Sequence, residues 1–272
     1  MSLTSFIDGN PTLRARLLAE FIKPDFRLKI DIKAPPRTTH YGLTGTAFDY
    51  LLRFYAKKLN PNARTRRWTA EGGLALLRGN SCFDKAKRML EEARSRYEEF
   101  LSADTECPTR QLAEVSVRLA YLENIYRVRI VDDDAFRPVP PAILDDLQAM
   151  LELVRPEDFR ATRRCVLNPI FGSASSLVGG ADADLIIDDT LIDIKTGKNL
   201  VLDREIFNQL VGYYVLSCIG GIDECPRGAI KHLAIYYARY GVLHRLKIHD
   251  FVVEERMPAF IQWFKQCAEQ EI

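Results

Sequence analysis

Two short apolar runs, Leu185-Ile186-Ile187 and Leu191-Ile192, flank Asp188-Asp189-Thr190, and no other pattern constrains this chain as tightly. Each run is β-prone and too short for a helix, and the residues between them have turn chemistry, so the segment reads as a β-hairpin. Side chains alternate along a strand. Asp193 and Lys195 therefore share one face of the second strand while Ile192 and Ile194 point to the core, and Asp182 and Asp184 share a face at the start of the first. Pairing across the hairpin brings Asp184 beside Asp193. Such a cluster is costly to bury without a ligand. With the backbone carbonyl of Ile194, the two carboxylates make a hard oxygen site suited to Mg²⁺ or Mn²⁺. Lys195 would then orient an attacking water or stabilise negative charge building on a phosphate. An acid and a lysine two apart on an edge strand are usually just solvated. The acid-bearing strand before the triplet and the helix after it give it weight.

That helix is expected from Asp203 to Ser217, with Asp203 as N-cap and Glu205 adding negative charge to the first turn. Ile206, Leu210, Val211, Tyr214 and Val215 form its apolar stripe. Gln209 and Tyr213 stand four apart and stack on one face, where the amide can touch a phosphate, a base edge or a water, and the tyrosine can orient it.

Asp184, then Asp193-x-Lys195-Thr196, then Gln209-x-x-x-Tyr213 resembles the PD-(D/E)XK nuclease superfamily, and within it the RecB-type, lambda-exonuclease-like branch marked by the Gln-x-x-x-Tyr helix. The resemblance implies an α/β fold with a restriction-endonuclease-like core, a mixed central sheet flanked by helices. It implies metal-dependent hydrolysis of phosphodiester bonds of DNA, by a deoxyribonuclease of exonuclease type using Mg²⁺ or Mn²⁺. Asp184 and Asp193 carry over as metal ligands, Lys195 as the catalytic lysine, and Gln209 and Tyr213 as the flanking helix motif. The family's upstream helix supplies a further ligand. Gly45-Thr46-Ala47-Phe48-Asp49 looks like the segment that opens it, with Asp49 where the family has histidine, and Glu123 on the expected helix Gln111–Ile130 is the rival. The family also includes members that work with a protein partner, such as a helicase or a defence or recombination subunit.

The residues leave exo- against endonucleolytic action, and DNA against RNA, open. Two other readings stand beside the nuclease. One is a catalytically inactive nuclease-fold subunit that binds nucleic acid or serves as a scaffold. The other is an unrelated α/β enzyme that uses the carboxylates differently.

With 272 residues, 47% of them hydrophobic, the chain can bury a full core. No stretch approaches a membrane span, and the first residues lack a signal-peptide pattern, so a cytoplasmic protein is expected. Six cysteines without a Cys-x-x-Cys spacing argue for reduced thiols, and no iron–sulfur cluster is expected. The four histidines have no zinc spacing. A net charge of +1 does not announce a nucleic-acid binder, so local clusters matter more. Arg64-Thr-Arg66-Arg67-Trp68 and Arg160-Ala-Thr-Arg163-Arg164 are two of them. Arginine forks suit phosphates, and the tryptophan suits an unpaired base.

The chain reads as helical until the hairpin. Helices are expected over Thr12–Ile22, Thr46–Leu59, Thr69–Leu77, Phe83–Leu101, Gln111–Ile130 and Ala142–Val154. Strands are expected at Cys165–Leu167, Ser176–Val178, Ala229–Arg239 and Val242–Ile248, before a last helix Phe251–Glu269 capped by Asp250 and kinked or started late by Pro258. Residues 1–59 thus form the N-terminal helical part of a nuclease core, 60–155 a helical insert and 156–272 the core itself.

Overall fold

In the computed structural model, residues 2–105, 107–131, 133–222, 225 and 228–270 are described. A mixed six-stranded sheet runs in the order β1 (Arg64–Thr65), β2 (Cys165–Leu167), β3 (Leu185–Ile187), β4 (Thr190–Lys195), β5 (His232–Tyr237), β6 (Val242–Lys247). The β1–β2 and β4–β5 pairs are parallel and the other three antiparallel.

Helices cover both faces. One face carries α3 (Tyr41–Leu59), α4 (Ala70–Leu76), α5 (Phe83–Ser102), α6 (Arg110–Val128) and α7 (Pro141–Leu151). The other carries α1 (Leu3–Gly9), α2 (Pro11–Glu20), α8 (Arg204–Gly220) and α9 (Met257–Glu269). Strand alternation splits the sheet's side chains between two cores. Leu185, Ile187, Ile192 and Ala234 pack toward α3–α7, and Ile186, Leu191, Leu233 and Ile235 toward α8 and α9. Both faces of the hairpin are therefore buried, and Asp193 lies on the α8 side among apolar neighbours rather than toward solvent. The helices of residues 60–155 share one continuous core with α3 and the sheet.

The hairpin turns at Asp188, whose φ is 55°. Its carboxylate accepts the N–H groups of Thr162, Arg163 and Arg164 at 3.1, 2.6 and 3.1 Å. Partial burial works against its ionised form, but these bonds outweigh it and hold its pKa below the usual carboxylate range. The second basic cluster thus braces the turn, at the opposite end of β4 from Lys195.

Four expectations are corrected. Residues Ser176–Val178 belong to a 3₁₀ turn, Gly172–Val178, not a strand. Ser175 Oγ accepts the Phe171 N–H at 2.9 Å and donates to the Ala181 carbonyl at 2.8 Å, which diverts the backbone from a ladder. Helix α3 begins at Tyr41, not Thr46. Gly42 and Gly45 weaken a helical reading of that stretch, but a Cβ at Gly45 would lie 2.9 Å from Thr196 Oγ1, so the glycine lets the helix approach the end of β4. Asp49 therefore stands inside the helix, not in its first turn. The last helix does start late, at Met257 with Pro258 in its first turn, as one of the two expectations for Pro258 had it, but Asp250 closes a 3₁₀ turn instead of capping it. Short α1 was not read from the sequence at all.

Candidate active site

Asp193 and Lys195 share a face of β4, as strand alternation requires. Lys195 Nζ lies 2.8 Å from Asp193 Oδ2. It also donates to Gln209 Oε1 at 2.9 Å, and Gln209 Nε2 donates to the Tyr213 hydroxyl at 2.9 Å. Helix α8 delivers this pair of residues. Asp203 Oδ1 caps it by accepting the Ile206 N–H at 2.8 Å, and the four-residue spacing sets Gln209 above Tyr213. Tyr213 is buried and stacked on Phe171, centroids 5.6 Å apart. Burial opposes the charged form of Lys195, but the Asp193 carboxylate, reinforced by Asp184, outweighs it and raises the lysine pKa. Lys195 is thus held as an ammonium.

Asp184 sits one residue before β3, and its Oδ2 accepts the Ile194 N–H at 2.6 Å. Ala238 N–H bonds the Lys195 carbonyl at 2.9 Å, and alternate residues of a parallel strand face the same neighbour. Ile194 therefore turns its N–H and C=O away from β5, to the edge that β3 has vacated and Asp184 fills. Burial, then the carboxylates of Asp49 and Asp193, push the Asp184 pKa well up.

The helices bring two more carboxylates, and the rivals Asp49 and Glu123 both arrive. Asp49 on α3 pairs with Arg53, one turn on. Its Oδ1 is buried with no hydrogen-bond partner. Burial pushes its pKa up to about 6; Arg53 opposes that, and Glu123 and Asp182 add to it. Glu123 on α6 is buried, accepting from the Tyr50 hydroxyl at 2.6 Å and from Arg127 Nε at 2.7 Å. Arg127 also reaches Asp182 at 3.6 Å. Asp49, Glu123, Asp182, Asp184, Gln209 and Tyr213 line one cavity of about 190 Å³. Asp193 and Lys195 do not line it, but Lys195 bonds Gln209 and Asp193 crowds Asp184, both of which do. His40, the residue before α3, is the histidine nearest in sequence to the Gly45–Asp49 segment, and it does not line the cavity.

Sequence reasoning did not single out Arg53 and Arg127. Each follows a site carboxylate by four residues, a helical spacing that signals an ion pair but not where it will lie. Nor did it find the N-terminal wall formed by Ser2, Leu3 and Thr4.

Among the described residues no three His, Cys, Asp or Glu side chains stand close enough to hold a metal ion as placed. The donor chemistry nevertheless fits a hard divalent cation. An orphaned carboxylate oxygen, that of Asp49, and a carboxyl group whose ionisation is opposed by two neighbouring acids, that of Asp184, both belong to one cavity. No family model, curated protein or solved structure matches the chain. Among the described residues no helix is long and apolar enough to cross a membrane.

Proposed function

We propose that this protein is a nuclease of the PD-(D/E)XK kind, hydrolysing phosphodiester bonds of DNA with Mg²⁺ or Mn²⁺. The observation that carries the reading is the chain Asp193–Lys195–Gln209–Tyr213, set beside Asp184 at the edge of a carboxylate-lined cavity. Asp184, Asp193 and the Ile194 carbonyl would hold the cation, with Asp49 or Glu123 from the helices. When bound, the cation supplies Lewis acidity toward the phosphate and positive charge against the developing negative charge.

The chain's own groups do the rest. Because Lys195 remains an ammonium, it donates hydrogen bonds rather than accepting a proton from water. It orients the attacking water and sets positive charge beside the phosphate. Gln209 fixes the lysine's direction through its Oε1, and Tyr213 fixes the amide, so that the ammonium is not drawn wholly onto Asp193. The near-balanced charge of the chain accords with a protein partner, such as a helicase or a defence or recombination subunit, that supplies further basic surface.

One observation favours a second reading, a non-catalytic nucleic-acid-binding subunit of the same fold. Arg53 and Arg127 already engage the helical carboxylates Asp49 and Glu123. The two readings separate on incubation with linear and circular DNA, single- and double-stranded, in Mg²⁺, Mn²⁺ or EDTA. The nuclease reading expects cleavage that EDTA abolishes. Binding without cleavage under any metal supports the other.

A further inference from the structure

The acidic cavity continues into a larger groove of about 850 Å³, and Arg127, Asn168 and Asp182 line both. The groove's outer wall is built where α4 crosses the C-terminal end of α6, and it carries Trp68, Tyr126 and Arg129.

Three features of this wall point to a ligand. Tyr126 is 42% exposed, and a Cβ on Gly72 would come within 2.5 Å of its ring, so the ring rests directly on the helix at a glycine. At the adjacent Gly73 a Cβ would meet the Leu122 carbonyl at 1.9 Å, so the two helices touch backbone to backbone. Two neighbouring glycines weaken a helix; here they hold an exposed aromatic flat on the groove wall. Second, Arg129 ends α6 with φ 64°, a position and conformation that favour glycine. The strained arginine lies over the Tyr126 ring, 5.3 Å from its centroid, so the face turned from Gly72 carries a guanidinium in cation–π contact. Third, Trp68 lines the same groove, with Phe54 and Tyr97 packed on it at 5.3 and 5.6 Å and the Arg94 guanidinium over its ring at 5.7 Å.

Aromatic platforms flanked by arginines bind the faces of unpaired bases and the phosphates between them. A duplex keeps its base faces stacked inside and offers such a wall only phosphates. We propose that this groove binds single-stranded DNA, with bases stacking on Trp68 and on the Arg129 guanidinium that Tyr126 supports, and that it leads the strand past Arg127 to the carboxylate cavity. Delivery of a scissile bond rests on the nuclease reading above; binding does not.

The test is fluorescence anisotropy in EDTA, where cleavage is blocked, with a labelled oligothymidylate and a labelled blunt hairpin duplex. The wild type should bind the single strand more tightly than the duplex. Tyr126→Ala should weaken single-strand binding about 5- to 100-fold. Arg129→Gly should also weaken it while leaving Tm unchanged or raised, because glycine relieves the left-handed backbone. That contrast separates a binding role from a structural one. Equal affinity for duplex and single strand, or wild-type affinity in both variants, overturns the proposal. Retained single-strand binding without cleavage in Mg²⁺ would count against the nuclease reading alone.

Discussion

The Asp184 carboxylate takes the amide N–H of Ile194 at 2.6 Å, in the place where a strand neighbour would otherwise pair. The contact fixes the acid at the edge of β4, but it does not offset the crowding by Asp49 and Asp193 that makes ionisation of Asp184 unfavourable. Asp184→Asn removes that repulsion and, with it, one of the proposed cation ligands. The variant should lose at least about 100-fold in DNA cleavage, in line with removal of a metal-site group, while its Tm in EDTA stays level or rises. Cleavage assays and thermal melts in EDTA check this. An active variant with a lowered Tm would mean that Asp184 is structural.

Gln209 bridges Lys195 and Tyr213. Gln209→Ala should leave the fold intact and lower the cleavage rate about 10-fold or more, as expected when a group that orients a catalytic residue is removed. Tyr213→Phe should act in the same direction but less, because Gln209 keeps its bond to the lysine. The double variant should lose less than the sum of the two, since both act through one ammonium. Single-turnover rates of the four proteins give the coupling directly.

The raised carboxylates give stability a pH dependence whose sign is fixed. The Asp49 pKa of about 6 lies above its ordinary value of 3.8, so between the two the folded protein holds more protons than the unfolded chain. Stability from this group is fully present below the lower value and is lost as pH rises through the upper one. Asp184 is shifted in the same direction. Mg²⁺ or Mn²⁺ would bind the ionised forms, so its gain in Tm should be small near about pH 5 and larger near about pH 8. Thermal melts with and without Mn²⁺ across this range check the prediction.

A buried clamp ties the site to the helical layer. Arg239 pairs with Asp146 through two contacts of 2.7 and 3.0 Å, and donates to the carbonyls of Thr196 at 2.6 Å and Ala34 at 3.0 Å. Both side chains are almost wholly buried, and Thr196 directly follows Lys195. Asp146→Ala leaves the guanidinium buried without its counter-ion and should cost about 3–5 kcal/mol in urea unfolding. A loss near zero would mean that water reaches the clamp.

The parts of the site legible in the sequence are those set by short-range rules. The two-residue period places Asp193 with Lys195, the hairpin turn sets Asp184 opposite, and Asp203 caps the helix that stacks Gln209 on Tyr213. The parts that were not legible depend on packing between distant elements. Residues Phe207 and Leu216 are fully buried while Ile206 and Tyr214 are only partly so, because α8 is covered by α1 and the sheet and does not present one apolar stripe to one partner. Arg53 and Arg127 look like ordinary helix-surface charges until α3 and α6 are packed side by side. The same packing brings Asp49 and Glu123 to one cavity, so the choice posed between them in the sequence is one that the fold does not force.

The proposed role of Lys195 in divalent-cation-dependent cleavage of DNA is tested most directly by single-turnover cleavage of an end-labelled DNA by wild type, Lys195→Ala and Lys195→Arg. The wild type should cleave in Mg²⁺ and not in EDTA. Lys195→Ala should lose at least about 100-fold, and Lys195→Arg, which keeps the positive charge, should recover part of that loss. Wild-type cleavage rates in Lys195→Ala, with the fold intact by circular dichroism, would contradict that role.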